Sequence, residues 1–109
     1  MINKLTDTIV AIATPRGPGA IGIIRMSGSN SFLIAKVIFK KTIKPGYILY
    51  SSFWDKNKNV LDFGIILTFK KPKSFTGDDL VEFHTHGNDL ILNSLVSRII
   101  KLGARFAEP

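Results

Sequence analysis

The chain has 109 residues, 45% of them hydrophobic, which suffices for one compact domain spanning residues 1–109 and excludes a disordered chain. It contains no cysteine, which excludes disulfides, thiolate metal sites and cysteine nucleophiles within it. Its formal net charge of +7 favours anionic partners, but eleven of the 15 positive residues are lysines scattered along the sequence. Neither a secretory signal nor an apolar run of about 18 residues is visible, so we expect a cytoplasmic protein without membrane association.

The first part of the chain predicts two strands and a helix. Residues 8–14 and 20–27 are apolar and rich in β-branched side chains, so we expect two paired strands joined by a glycine-rich loop. Residues 30–39 have apolar side chains at helical spacing, with Ser29 or Asn30 as the N-cap. The predicted buried stripe of this helix comprises Leu33, Ile34, Val37 and Ile38.

The second part predicts a hairpin, a strand and a longer helix. Residues 47–54 and 60–69 flank a polar DKNKN turn, and residues 79–86 alternate between two faces. Residues 88–102 form the clearest amphipathic helix, which Asn88 can cap. Its predicted buried stripe comprises Ile91, Leu92, Leu95, Val96, Ile99 and Leu102. The order ββαβββα predicts an α+β fold with a mixed, largely antiparallel five-stranded sheet and two helices.

Gly17, Gly19 and Gly22 spell G-x-G-x-x-G, the dinucleotide-binding fingerprint. That motif requires a helix directly after it and an acidic residue about 20 positions on, to bind the ribose. Here the next segment is predicted to be a strand, and no acidic residue occurs between Thr8 and Tyr50. We therefore interpret the motif as a hairpin loop.

Glu82, His84 and His86 alternate along one predicted strand face, as three metal ligands could. No fourth ligand cluster accompanies them, so we favour a polar strand end and predict no metal site. Glu82 also stands between Val81 and Phe83, and Arg25 interrupts an apolar run. A buried arginine needs a negative partner. An Arg25–Glu82 ion pair and a shared ligand site both explain these residues, and the sequence leaves the two open.

Several ordered blocks of the chain resemble a known family. The stretches DTIVAIATP, AIGIIRMSG, SFTGDDLVEFHTHG and RIIKLGARFAEP are similar to the N-terminal domain of the tRNA wobble-uridine modification GTPase, the MnmE/TrmE family. The resemblance runs from Asp7 to Pro109, and its most specific part is SFTGDD followed by the VEFHTHG strand.

The resemblance implies a fold like the folate-binding units of glycine-cleavage T-proteins. It also implies a homodimer that binds a tetrahydrofolate derivative, 5-formyl- or 5,10-methylene-tetrahydrofolate, for one-carbon transfer. The family's folate-contacting arginine and glutamate fall on Arg25 and Glu82. Secondary folate contacts are expected at Gly19, Ile21, His84 and His86. A flavin-dependent partner subunit of the GidA/MnmG type, and tRNA indirectly, are the implied partners.

The chain departs from the family pattern in its glycine-rich loop, PRGPGA. It also lacks a P-loop and the family's C-terminal cysteine, so GTP and potassium would bind only in domains outside this chain. We therefore assign no catalytic residue and expect a fragment, or the product of a truncated gene, that is not an enzyme alone. Two alternatives are a ligand-free dimerisation module and a small basic RNA-binding domain.

Overall fold

The computed structural model describes residues 8–14, 19–46, 48–70 and 79–107. The start of the glycine-rich loop and most of the SFTGDD block lie outside the described residues. Within those ranges, neither helix is long and apolar enough to cross a membrane.

Six strands and two helices occur in the described residues. In chain order they are β1 (Ile9–Ile12), β2 (Gly19–Ser27), α1 (Ser31–Phe39), β3 (Ile48–Trp54), β4 (Val60–Phe69), β5 (Leu80–Gly87), α2 (Asp89–Lys101) and β6 (Arg105–Phe106). The α+β class and both helices are as predicted, but the prediction of five strands was wrong. The sixth strand, β6, is only two residues long and carries no alternating pattern from which it could be recognised.

The six strands form one mixed sheet in the order β3-β4-β5-β2-β1-β6. Neighbouring strands are antiparallel except for the β1–β6 pair, which is parallel. The two predicted hairpins, β1–β2 and β3–β4, are both present. The long β2–β5 pairing lies in the interior of the sheet and sets Arg25 directly opposite Glu82.

The segment after the glycine-rich loop is a strand, which confirms that the G-x-G-x-x-G motif is not a dinucleotide fingerprint. In the part of the chain that the structure describes, the first helix begins at Ser31, well beyond the loop. Gly22 has a packing role instead, because a Cβ atom there would lie 2.7 Å from Cδ2 of Leu92. Its missing side chain therefore lets α2 approach β2 closely.

Both helices contribute to a single hydrophobic core on one face of the sheet. Alternate side chains of the strands point into it, among them Ile24 of β2 and Ile66 of β4. The ring of Phe53 links the layers, since its centroid lies 5.4 Å from that of Phe39 in α1 and 5.6 Å from that of Phe83 in β5. In the described residues no helix packs on the opposite face, which we call the open face.

The buried side of α1 differs from the predicted stripe. Leu33 and Val37 are 65% and 46% exposed, whereas Ile34 and Ile38 are buried as predicted. The buried set is Ser31, Ile34, Ala35, Ile38 and Phe39. Its i, i+3, i+4, i+7 spacing is that of a helix face, and packing of Phe39 against Phe53 turns this face, rather than the one with Leu33, towards the sheet.

The predictions for α2 agree better with the structure. Four of the six stripe residues are buried, namely Leu92, Leu95, Val96 and Ile99, and the other two are half-buried. Oδ1 of Asn88 accepts hydrogen bonds from the backbone N–H groups of Leu90 and Ile91, at 2.8 and 3.2 Å, so the predicted cap is confirmed. A strong amphipathic pattern with a capping side chain thus fixes this helix.

Candidate ligand site

Strand alternation places Arg25 and Glu82 on the open face. Ile24 and Met26 of β2 enter the core, so Arg25 between them points the other way. Likewise, Val81 and Phe83 of β5 enter the core, so Glu82 between them points to the open face. Because the β2–β5 register pairs Arg25 with Glu82, their side chains lie side by side.

Arg25 and Glu82 form a charge-assisted ion pair. Nε and Nη2 of Arg25 lie 2.8 and 2.6 Å from the same carboxylate oxygen, Oε2 of Glu82. The Glu82 side chain is 10% exposed and that of Arg25 is 38% exposed. The pair therefore holds a buried carboxylate beside a guanidinium that a ligand can still reach, an arrangement compatible with an ion pair alone and with a ligand site.

The second oxygen of Glu82 is engaged by His84. Nε2 of His84 lies 3.1 Å from Oε1, and because an ionised carboxylate only accepts, this nitrogen is the donor. Burial raises the pKa of Glu82, but hydrogen bonds from His84 and Arg25 together with their positive charge outweigh it, and the pKa lies below its ordinary value of 4.5. Glu82 is thus held ionised with partners on both oxygens.

His86 belongs to a different carboxylate. Its Nδ1 lies 2.7 Å from Oδ1 of Asp62, and its backbone N–H donates to Oδ2 of Asp62 at 2.8 Å. Glu82, His84 and His86 therefore do not converge on one point. Among the residues that the structure describes, no group of three histidines and carboxylates is arranged to hold a metal ion.

A groove of about 220 Å³ opens on the open face beside His84. Its walls include the aromatic rings of Tyr50 and Phe63, which are 70% and 52% exposed. Of the four secondary positions expected from the sequence, three line the groove: Ile21, His84 and His86. The fourth, Gly19, pairs with Gly87 at the same end of the β2–β5 ladder, where a Cβ atom on Gly87 would collide with the carbonyl oxygen of Gly19.

Two groups of this site were missed from the sequence. Tyr50 and Phe63 were assigned only to strands, and Asp62 was given no role. The alternation of each hairpin strand could have placed Tyr50 and Phe63 away from Phe53, the core residue of β3. The contact between His86 and Asp62 depends on the β4–β5 pairing, for which the sequence has no comparable signal.

Comparison with known proteins shows the family of this chain. The sequence profile described as "GTP-binding protein TrmE N-terminus" matches residues 8–109. The chain belongs to this family. The resemblance noted from the sequence blocks is thereby confirmed for nearly the whole chain as a TrmE N-terminal domain.

Similar proteins bear the name "tRNA modification GTPase MnmE". The one from Nitrosomonas eutropha is 47% identical over 106 residues, covering 97% of this chain and 24% of the relative. The one from Francisella tularensis subsp. tularensis (strain SCHU S4) is 48% identical over 102 residues, covering 94% of this chain and 22% of the relative. The TrmE N-terminal domain described here thus spans about a quarter of the length of the curated relatives it matches.

Proposed function

We propose that this TrmE N-terminal domain binds a reduced folate, 5-formyl- or 5,10-methylene-tetrahydrofolate, for one-carbon transfer in tRNA wobble-uridine modification. The observation that carries the proposal is the Arg25–Glu82 pair on the open face, which His84 links to an aromatic groove that His84 itself lines. Relatives named as tRNA modification GTPases support the wider role. The likeness of the fold to glycine-cleavage T-proteins and the cytoplasmic location stay predictions.

Glu82 has the chemistry to read the amino-pyrimidinone edge of a pterin. That edge presents N–H donors, and an ionised carboxylate accepts such donors on either oxygen. Because Oε2 already accepts two bonds from Arg25, the ligand would share Oε1 with His84 or displace His84 from it. The lowered pKa of Glu82 keeps the acceptor charged at neutral pH.

The groove complements the flat shape of the ligand. Tyr50 and Phe63 offer aromatic faces for stacking, while Ile21, His84 and His86 form the remaining contacts that we assign. Gly19, at the same end of β2, would let a ligand approach its backbone closely. The anionic folate tail suits a chain with a net charge of +7.

Self-association through the open face is the second part of the proposal. Four large apolar side chains on β2, β3 and β4 are more than half exposed: Ile21, Ile48, Tyr50 and Phe63. Contiguous apolar surface of this kind marks interaction sites. A second copy would cover the groove and shield the folate, whereas GTP hydrolysis with potassium, and docking of a flavin-dependent GidA/MnmG-type subunit, would belong to the rest of a full-length protein.

Isothermal titration calorimetry with 5-formyltetrahydrofolate tests the binding proposal. We expect saturable heat with a dissociation constant in the micromolar range, weakened about tenfold or more in Arg25→Gln and Glu82→Gln, since each removes a charge-assisted hydrogen bond. Lys36→Gln is the control, because it removes one positive charge, as Arg25→Gln does, from an exposed position on α1. This variant should bind the folate like the wild type.

Absence of heat from the folded wild-type chain would refute folate binding and leave the ligand-free dimerisation module. Equal weakening by Lys36→Gln and Arg25→Gln would indicate non-specific attraction of the anionic ligand instead. Thermal melts of each variant establish that the compared proteins are folded.

A further inference from the structure

A second cleft lies on the helix side of the sheet, apart from Arg25 and Glu82. It has a volume of about 400 Å³ and separates α2 from the turn between β3 and β4. Leu61 is the apolar member of its lining, and the other lining side chains are polar or charged. A cleft so polar is unsuited to an apolar ligand, so its chemistry is set by its hydrogen-bonding and charged groups.

Arg98 is the anomalous residue of this cleft. Its Nε is buried and has no hydrogen-bond partner among the residues that the structure describes. A buried N–H donor without an acceptor is costly, so Nε of Arg98 is a group that needs an explanation. Arg98 as a whole is half-buried and lines the cleft, so its side chain borders the space that an acceptor from outside the chain can enter.

The one acidic side chain of the cleft is already committed elsewhere. Oδ1 of Asp55 accepts the backbone N–H groups of Asn57 and Asn59 at 2.8 and 2.9 Å, and so holds the β3–β4 turn together. The bond from Asn59 chiefly lowers the pKa of Asp55, and the positive charge of Arg98 contributes. Asp55 thus stays ionised but does not satisfy Nε of Arg98.

The remaining lining is rich in donors and carries net positive charge. Lys56, Arg98 and Lys101 set three positive charges against the single negative charge of Asp55, a net of +2. The hydroxyls of Ser94 and Ser97, four residues and one residue before Arg98 on α2, are further donors in the lining. Such a set matches a tetrahedral anion, because a guanidinium fork and hydroxyls together can contact several phosphate oxygens.

We propose that this cleft is a binding site for a phosphate group, anchored by Arg98. The phosphate would accept from the guanidinium of Arg98 and from the Ser94 and Ser97 hydroxyls, with Lys56 and Lys101 also lining the cleft. A volume of about 400 Å³ exceeds that of a phosphate alone, so the group can belong to a mononucleotide or to an RNA backbone. The site is independent of the folate proposal, since it shares no residue with the Arg25–Glu82 site.

Nuclear magnetic resonance of the ¹⁵N-labelled chain tests the proposal and separates the sources of the phosphate. Inorganic phosphate, adenosine monophosphate and a hairpin RNA are titrated in turn at constant ionic strength set with sodium chloride. We expect saturable shifts of the Arg98 Nε–H resonance and of the Ser94 and Ser97 amides. Shifts of these groups with RNA assign the phosphate to a nucleic-acid backbone, whereas shifts with the small anions alone assign a small phosphate ligand, and either result supports the site.

Matched variants test the anchor. Arg98→Gln should weaken phosphate binding about tenfold or more, and Lys101→Gln, at an exposed position of the cleft, about threefold. Lys36→Gln on α1 removes the same charge away from the cleft and should leave the affinity unchanged. If the spectrum of Arg98→Gln loses its dispersion, that variant is unfolded. The comparison of the phosphate affinities of Lys101→Gln and Lys36→Gln then tests the proposal by itself. The proposal fails if none of the three ligands gives saturable shifts at Arg98, or if Lys36→Gln weakens binding as much as the cleft variants.

Discussion

At the residue scale, Glu82 is the most constrained side chain of the open face. It is 8% exposed, and its two oxygens accept from Arg25 on one side and His84 on the other. A buried carboxylate is tolerated only when it is paired and hydrogen-bonded. The three residues therefore act as a unit, in which loss of the negative charge weakens all three N–H contacts to Glu82.

Replacing Glu82 by Gln should change the pH dependence of stability. The folded-state pKa of Glu82 lies below 4.5, so its contribution is present above that pH and is lost as pH falls through the folded pKa. Near neutral pH we expect Glu82→Gln to lower the free energy of unfolding by about 1–2 kcal/mol, reduced from the cost of a fully buried pair because Arg25 is partly exposed. As the pH falls below 4.5 and then through the folded-state pKa of Glu82, the difference should shrink.

Urea denaturation of both proteins at a series of pH values measures this difference. Other carboxylates titrate in both, so the difference isolates Glu82. A gap in unfolding free energy that stays constant from neutral pH into the acid range would contradict the pairing.

The meeting of Arg25 and Glu82 could be anticipated because each breaks an apolar pattern, and both explanations of these breaks, an ion pair and a shared ligand site, bring the two side chains together. The role of His84 as the second partner of Glu82 could not be anticipated. The sequence places Glu82, His84 and His86 on one strand face, but which carboxylate each ring contacts depends on its rotamer and on Asp62 in the neighbouring strand. Side-chain direction along a strand is readable from sequence, whereas cross-strand partners require the register.

At the scale of the element, the two helices begin differently. Asn88 satisfies two backbone N–H groups of α2 with its side chain. Asn30 occupies the same position before α1 but makes no side-chain cap bond, and its own backbone N–H donates to Oγ1 of Thr8. The same residue type thus stabilises one helix through its side chain and anchors the other through its backbone.

The substitutions Asn88→Ala and Asn30→Ala form a matched pair. We expect Asn88→Ala to lower the free energy of unfolding by about 1 kcal/mol, because two N–H groups at the start of α2 lose their acceptor. Asn30→Ala keeps the backbone bond to Thr8 and should cost only a few tenths of that. Chemical denaturation compares them, and equal losses would contradict the difference in capping.

The helix predictions succeeded where local signals agree and failed where tertiary packing decides. In α2 the apolar stripe defines one buried face and Asn88 marks the start of the helix. The structure buries the central residues of that stripe. In α1 the side chains are apolar nearly all round, so the spacing alone could not choose between the face with Leu33 and the face with Phe39. Packing of Phe39 against Phe53 makes that choice, and this contact is invisible in a single sequence.

At the scale of the whole molecule, the sheet has one face under two helices and one open face with large apolar side chains. Exposure of the large apolar side chains of Ile48, Tyr50 and Phe63 to water is unfavourable in free energy. The hydrophobic effect therefore favours a partner that covers this face. A second copy with the same face is the partner we propose, and its groove and ion pair would then lie at the contact. Such a contact would relate the two copies by a twofold axis.

Ile48→Lys should weaken self-association, because it places a charge in the proposed contact. Leu33→Lys on α1 is the matched control, since its side chain is 65% exposed compared with 71% for Ile48 but lies on the helix side. Sedimentation equilibrium should give a dimer for the wild type and for Leu33→Lys, and a monomer for Ile48→Lys at the same concentration. A monomeric wild type would contradict dimerisation of this chain through the open face.

We propose that the open face beside Arg25 and Glu82 holds a pterin ring, and intermolecular nuclear Overhauser effects would detect that ring in place. With ¹³C-labelled chain and unlabelled 5-formyltetrahydrofolate, we predict contacts from the ring protons of the ligand to the methyl groups of Ile21 and Ile65, both of which line the groove. Contacts only to residues of the cleft around Arg98, or saturable binding without any contact to the groove, would contradict the claim.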